Sequence, residues 1–106
     1  MAERDKKGAP VRRCLNIIEL LARHVADGMT NKEIADATKT TPVNVHRDTT
    51  LLESLGWVRQ LDNSRWVLTT KPIALFEAYD ASLKEMKARA DELRENISAA
   101  AKRNRG

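Results

Sequence analysis

The sequence predicts a mainly α-helical chain with a small β-hairpin: three helices, the hairpin, then a long C-terminal helix. Two patterns and one kind of punctuation predict it. Apolar residues recur at spacings of three and four in several stretches, and two β-prone runs flank the turn Asp62-Asn63-Ser64. Glycine or threonine stands where each stretch starts or stops. With 106 residues, of which only 4% are aromatic, the chain has room for one domain plus an appendage. Its core must rest on Leu, Ile, Val and Ala.

Residues 1–10 lack apolar periodicity and are expected to be a flexible basic arm carrying Arg4, Lys6 and Lys7. From Val11 to about Asp27 the apolar residues Val11, Cys14, Ile17 or Ile18, Leu21 and Val25 line one face of a helix, and Gly28 ends it. Thr30-Asn31-Lys32-Glu33 fits a capping box, in which the hydroxyl and the carboxylate satisfy each other's free backbone N–H groups. The short helix that follows runs to about Thr38, with Ile34, Ala35 and Ala37 toward the core.

Thr40 and Thr41 offer the next N-cap, and Pro42 stands in a first turn where its missing N–H costs nothing. The third helix is expected over 42–55, with Val45, Thr49, Leu52 and Leu55 inward and Gly56 closing it. Trp57 to Leu61 and Arg65 to Leu68 form the hairpin, and Trp57 and Trp66 are expected to pack rather than stack on bases. Helix, helix, helix, hairpin is the winged-helix order. Thr69 or Thr70 then caps a helix from about Pro72 to Ala101, leaving a frayed basic tail.

The formal charge of +4 is uneven. Residues 1–13 carry five Lys/Arg against two acids, residues 14–69 six against seven, and residues 70–106 eight against six. The central region is therefore not basic, which argues against an indiscriminate polyelectrolyte binder, whose affinity comes from phosphate neutralisation. Any nucleic-acid contact must use a few well-placed cations.

The segments Cys14 to Ala22, Thr30 to Ala37 (TNKEIADA), Val45-His46-Arg47 and Leu52-Glu53-Ser54-Leu55-Gly56-Trp57-Val58 resemble the N-terminal DNA-binding domain of IclR-type transcription regulators. The resemblance covers residues 11–69 and implies a winged helix-turn-helix fold that binds double-stranded DNA. Val43 and Asn44 stand where that family usually has small hydroxylated residues, and Asp48 where it usually has an apolar one, so base preference does not carry over. The family's full-length members continue into a ligand-sensing domain, whereas one long helix follows here; no small-molecule effector is implied.

At 100° per residue, turning Val45 inward leaves Val43, Arg47, Thr50 and Ser54 outward, flanked by Asn44 and His46. In a major groove Arg grips guanine bidentately, Asn grips adenine, and apolar or Thr methyls touch the thymine methyl. Val43, Asn44, His46, Arg47 and Thr50 are thus the candidate reading residues. Asp48 is expected to orient Arg47 or to cap locally. Thr40 and Thr41 suit a phosphate at the helix start, Lys39 and Arg59 are phosphate candidates, and Asn63 and Arg65 are expected at the DNA-facing tip of a wing over 59–68.

In the C-terminal helix Phe76, Tyr79, Leu83, Met86, Ala90, Leu93 and Ile97 alternate in steps of three and four, a heptad seam that predicts a homodimer. The orientation of the pair stays open, since parallel pairing sets Arg89 against Arg94 whereas an antiparallel pair brings Asp80 near Arg94. The four glycines form no phosphate-cradling loop, no nucleophile stands at a useful spacing from a base, and Cys14, His24 and His46 are too scattered for a zinc site. Neither enzyme activity nor a metal or other cofactor is expected. One cysteine agrees with a reducing compartment, and no stretch approaches the ~18 apolar residues of a membrane span, so the expected location is the cytoplasm. The expected role is a sequence-specific transcription regulator. The rivals are a winged-helix adaptor for protein partners and a nucleoid or recombination accessory protein.

Overall fold

A computed structural model describes residues 8–105. The chain forms two units, one ending at Pro72 and one beginning at Ile73. The element order is α1 (Ala9–Leu21), α2 (Asn31–Thr38), α3 (Pro42–Ser54), β1 (Val58–Gln60), β2 (Trp66–Leu68) and α4 (Lys71–Arg105). Most of the basic arm, including Arg4, Lys6 and Lys7, lies outside the described residues.

In the first unit the three short helices and the hairpin enclose a core of Ile17, Leu21, Met29, Ile34, Ala35, Val45, Leu52, Val58 and Trp66. Burying each large aliphatic side chain contributes about 1.5–3 kcal/mol, and Ile17, Leu21, Ile34, Val45 and Val58 are fully buried. The strands pair antiparallel, Val58 opposite Leu68 and Gln60 opposite Trp66. In β1 Val58 is buried, and Arg59 and Gln60 are exposed.

α1 ends at Leu21, six residues earlier than its periodicity predicts. Its last turn tightens through bonds from Arg23 N to Leu20 O and from His24 N to Leu21 O, and a separate turn closes from Gly28 N to His24 O. The reason lies in the hairpin: Met29 exchanges backbone hydrogen bonds with Trp66, at 3.0 and 2.7 Å, so the chain must turn before it. Gly28 makes that turn at φ +68, against the Trp66 carbonyl, where a Cβ would sit 2.5 Å from the oxygen. Val25, expected on the core seam, is consequently 71% exposed. Val11, Ala37 and Leu55, also expected inward, are exposed too.

α2 begins with the capping box the sequence predicts, Glu33 N donating to Thr30 Oγ1 and Thr30 N to Glu33 Oε1, each at 3.1 Å. α3 is capped by Thr41, whose hydroxyl accepts from Asn44 N at 3.2 Å. It closes on Gly56, which at φ +83 turns back a chain whose Trp57 N donates to Leu52 O.

The second unit is the rest of α4. The helix continues to Arg105, beyond the expected end at Ala101. Lys102, Arg103 and Arg105 occupy its last turn, where cations complement the negative end of the helix dipole. The ion pairs Asp80–Lys84 and Glu85–Arg89, four residues apart, decorate its surface, and no residue of the helix is buried.

Candidate nucleic-acid interface

The connection between α2 and α3 sets how α3 is presented. Lys39 takes the left-handed conformation (φ 56) and ends α2, Thr40 N donates to Ala35 O, and Thr41 opens α3 two residues later. This is the compact turn of a helix-turn-helix. Val45, Thr49 and Leu52 anchor the inner side of α3 in the core. The Thr49 hydroxyl is satisfied by Val45 O at 2.8 Å.

On the opposite side Val43, Arg47, Thr50 and Ser54 are exposed together, with His46 beside them. Arg47 and His46 make no side-chain hydrogen bond or ion pair among the described residues, so their donors are available. Asn44 is half-buried, and its Nδ2 donates to Thr40 Oγ1 at 2.9 Å. That bond holds the amide in one orientation; the Thr40 and Thr41 hydroxyls each accept one bond, from Asn44 Nδ2 and Asn44 N, and each keeps its O–H donor.

Asp48 does not orient Arg47. It is 3% exposed and accepts from Arg13 of α1, Nε at 2.7 Å and Nη2 at 3.3 Å, in a two-pronged pair. The bonded carboxylate holds the Arg13 guanidinium proton more tightly than usual. The pair ties the middle of α3 to α1, so Arg13 positions the exposed face of α3 without belonging to it. A charged residue on a core-facing position must have a partner, and that signal exists in the sequence, but it does not say which cation answers.

The hairpin tip is a tight turn in which Ser64 takes φ 67 and Asn63 Oδ1 accepts from Arg65 N at 3.1 Å. Arg65, expected to face DNA, has intramolecular partners: Nε donates to Asp27 O at 3.0 Å, Nη2 to Gly28 O at 3.1 Å, and Nη2 lies 2.9 Å from Glu33 Oε1. It thus clamps the base of the wing to the start of α2. Thr30's N–H and hydroxyl, and then Arg65, hold the Glu33 carboxyl below its ordinary value of 4.5. Arg59 is left exposed on the outer strand and Lys39 at the helix turn.

Both tryptophans pack within the first unit. Trp66 is buried, with Nε1 donating to Asn31 Oδ1 at 2.8 Å, and Lys71 Nζ lies 5.2 Å from the centre of the half-buried Trp57 ring. Asn31 and Lys71 were not legible as partners from spacing alone. The seam residues Phe76, Tyr79, Leu83, Met86, Ala90, Leu93 and Ile97 are all exposed. No group of three or more His, Cys, Asp or Glu among the described residues could hold a metal ion, and no described helix is long and apolar enough to cross a membrane.

Residues 10–62 match the family model of the IclR helix-turn-helix domain. No curated protein matches the chain. Among solved structures, a mutant of S. aureus MepR bound to an oligodeoxyribonucleotide is similar with a TM-score of 0.52 and 22% identity, over 96% of this chain and 84% of that one. At that identity the likeness shows the fold, a winged helix-turn-helix followed by helix.

Proposed function

Because the chain belongs to the IclR helix-turn-helix domain family, we propose that it is a sequence-specific DNA-binding transcription regulator that engages duplex DNA as a homodimer. α3 enters the major groove, with Arg47, Asn44, Thr50 and Val43 against base edges and His46, Lys39 and the start of α3 near phosphates. The hairpin lies on flanking backbone or minor groove, with Arg59 as its available cation and Asn63 at its tip. Residues 11–69 carry recognition and residues 70–106 pairing. The place of work is the cytoplasm, with the DNA.

One observation carries the reading: α3 holds a polar face clear of the core, with an uncommitted arginine at its centre. The oligodeoxyribonucleotide bound by the similarly folded MepR mutant supports it. The charge count favours a second reading, an adaptor for protein partners, because residues 14–69 are close to neutral.

Binding to selected and random DNA across a salt series separates the two. A regulator binds its selected site ~10³-fold or more above random DNA at physiological salt, and Arg47→Ala then costs about 1–3 kcal/mol and relaxes preference at one base pair. Absence of DNA binding even at low salt supports the adaptor, and an unchanged base preference in the variant rejects the role of Arg47.

A further inference from the structure

The first unit carries a groove of about 380 Å³ on the α1–α3 side, walled by Val11, Leu15 and Ile18 from α1, Leu51 from α3, Leu55 at its C-cap, and Trp57. Four of these side chains, Val11, Leu15, Leu51 and Leu55, are each more than half exposed. Apolar side chains gathered in one concavity on a domain this small mark a binding surface rather than ordinary surface scatter. No charged residue lines it. A polar ligand or a phosphate therefore finds nothing to bind there.

The same chain carries a surface of matching chemistry. In α4, Leu75, Phe76, Tyr79, Leu83 and Met86 fall within an arc of about 100°, and no charged side chain of that stretch lies inside the arc. Each of the five is at least 43% exposed. From Phe76 to Leu83 the helix rises roughly 10 Å, the same as the α1 wall from Val11 to Ile18. A helix presenting anchors at i, i+3 and i+7 is what an apolar groove between two helices accepts.

We propose that the groove receives α4 of a second copy of this chain, with Phe76, Tyr79 and Leu83 as the anchors, and that the two copies exchange these helices reciprocally. The inference rests on the homodimer of the proposed function and deepens it. The area supports the assignment. Phe76 and Tyr79, at 60% and 69% exposed, each offer roughly 100–150 Å², and a two-fold exchange adds the groove walls of both copies, on the order of the ~800 Å² per partner that stable interfaces bury. A seam of α4 against α4 alone is poorer, because its far half offers Ala90 and Ala100 among the larger Leu93 and Ile97. Since Leu51 belongs to the reading helix and Leu55 caps it, the docking also grips its C-terminal end and sets the spacing between two reading faces.

Cys14 lines the groove and is the chain's one thiol, which supplies the test. The full-length Tyr79→Cys variant is treated with a mild oxidant at alkaline pH, because burial pushes the Cys14 thiol up, and the product is mapped by peptide mass spectrometry. The expected result is a covalent dimer joining Cys14 of one copy to the introduced thiol of the other, in a yield that rises with protein concentration. That linkage disappears when Cys14→Ser is added. Tyr79 is exposed on a helix without buried residues, so the substitution leaves the core intact.

Sedimentation gives the second arm. Leu15→Glu, at a position 56% exposed, weakens the dimer about 100-fold, the effect of a charge at an interface anchor, with an unchanged circular dichroism spectrum. A linkage within one chain, or one joining only the two introduced thiols, overturns the groove assignment. The second of these outcomes still leaves a dimer paired through α4. A chain that sediments as a monomer at tens of micromolar overturns both the groove and the dimer, whatever its DNA affinity.

Discussion

Replacing Arg13 by alanine removes one partner of the pair that ties α1 to α3 and leaves the Asp48 carboxylate in the interior. The Asp48 side chain is 4% exposed and that of Arg13 is 20% exposed. Breaking a buried ion pair from one side costs about 3–5 kcal/mol. Water can reach the site along the path Arg13 vacates, which places the expected cost near the lower end, about 3 kcal/mol. Asp48→Asn should cost less, about 1–2 kcal/mol, because the guanidinium it leaves behind is already partly hydrated. Replacing both at once, Arg13→Met with Asp48→Leu, removes the uncompensated charge and should return stability to within ~1 kcal/mol of the starting chain. Urea unfolding of the four proteins, monitored through Trp57 and Trp66, reads these costs. A domain of this size has roughly 4–10 kcal/mol in total, so every variant is measured in the cold. If Arg13→Ala costs under ~1 kcal/mol, or the paired replacement is no more stable than Arg13→Ala, the pair does not hold α3 in place and the argument for Arg13 as a positioning residue fails.

Two further expectations follow from the hairpin and its clamp. Gly28→Ala should destabilise by roughly 2–3 kcal/mol, because a Cβ there meets the Trp66 carbonyl at 2.5 Å and the backbone sits at φ +68. Amide exchange at Met29 and Trp66 should accelerate before that of the α1–α3 core, and uniform loss of protection contradicts the local account. Glu33 has its carboxyl lowered in the folded state, first by Thr30 N, so its stabilising contribution is present above the ordinary value of 4.5 and lost as pH falls through the lowered one. The melting-temperature gap between the natural chain and Glu33→Ala should thus be constant from neutral pH down to about 5 and narrow below it; a gap that persists in acid excludes the carboxylate as its source.

Local chemistry made most of the fold legible. The Thr30–Glu33 box and the Thr41–Pro42 start act within one turn of chain, so spacing alone locates α2 and α3. Binary pattern likewise placed Val45, Thr49 and Leu52 inward and left Val43, Arg47 and Thr50 free, since a helix's period fixes both faces together. What spacing could not reach were the long-range polar pairs. Arg13 answers Asp48 across 35 positions, and Arg65 leaves its expected outward place because Asp27, Gly28 and Glu33 converge on it from a distant part of the chain. The early end of α1 has the same origin: periodicity continues to Val25, but pairing of Met29 with Trp66 overrides it. Leu55 fits the inward period of α3 but stands just past its end at Ser54, in the C-cap, and is 54% exposed.

The distribution of charge and apolar surface ties these features together. Six Lys/Arg stand in residues 14–69, and Arg65 is committed to the fold, so few cations remain to neutralise phosphates. A single domain with so few is confined to weak binding, while a good base contact adds only about 1–3 kcal/mol of discrimination. In the proposed homodimer that arithmetic changes without any new contact to DNA: once one copy is seated, α3 of the second would be held at a high effective concentration over the adjacent half-site. A rigid connection then matters more than a strong one, because the two faces must arrive at a fixed separation along the duplex. The proposed groove contact, which takes in Leu51 and Leu55 at the end of α3, would supply such a connection, which a contact confined to the far end of α4 would not.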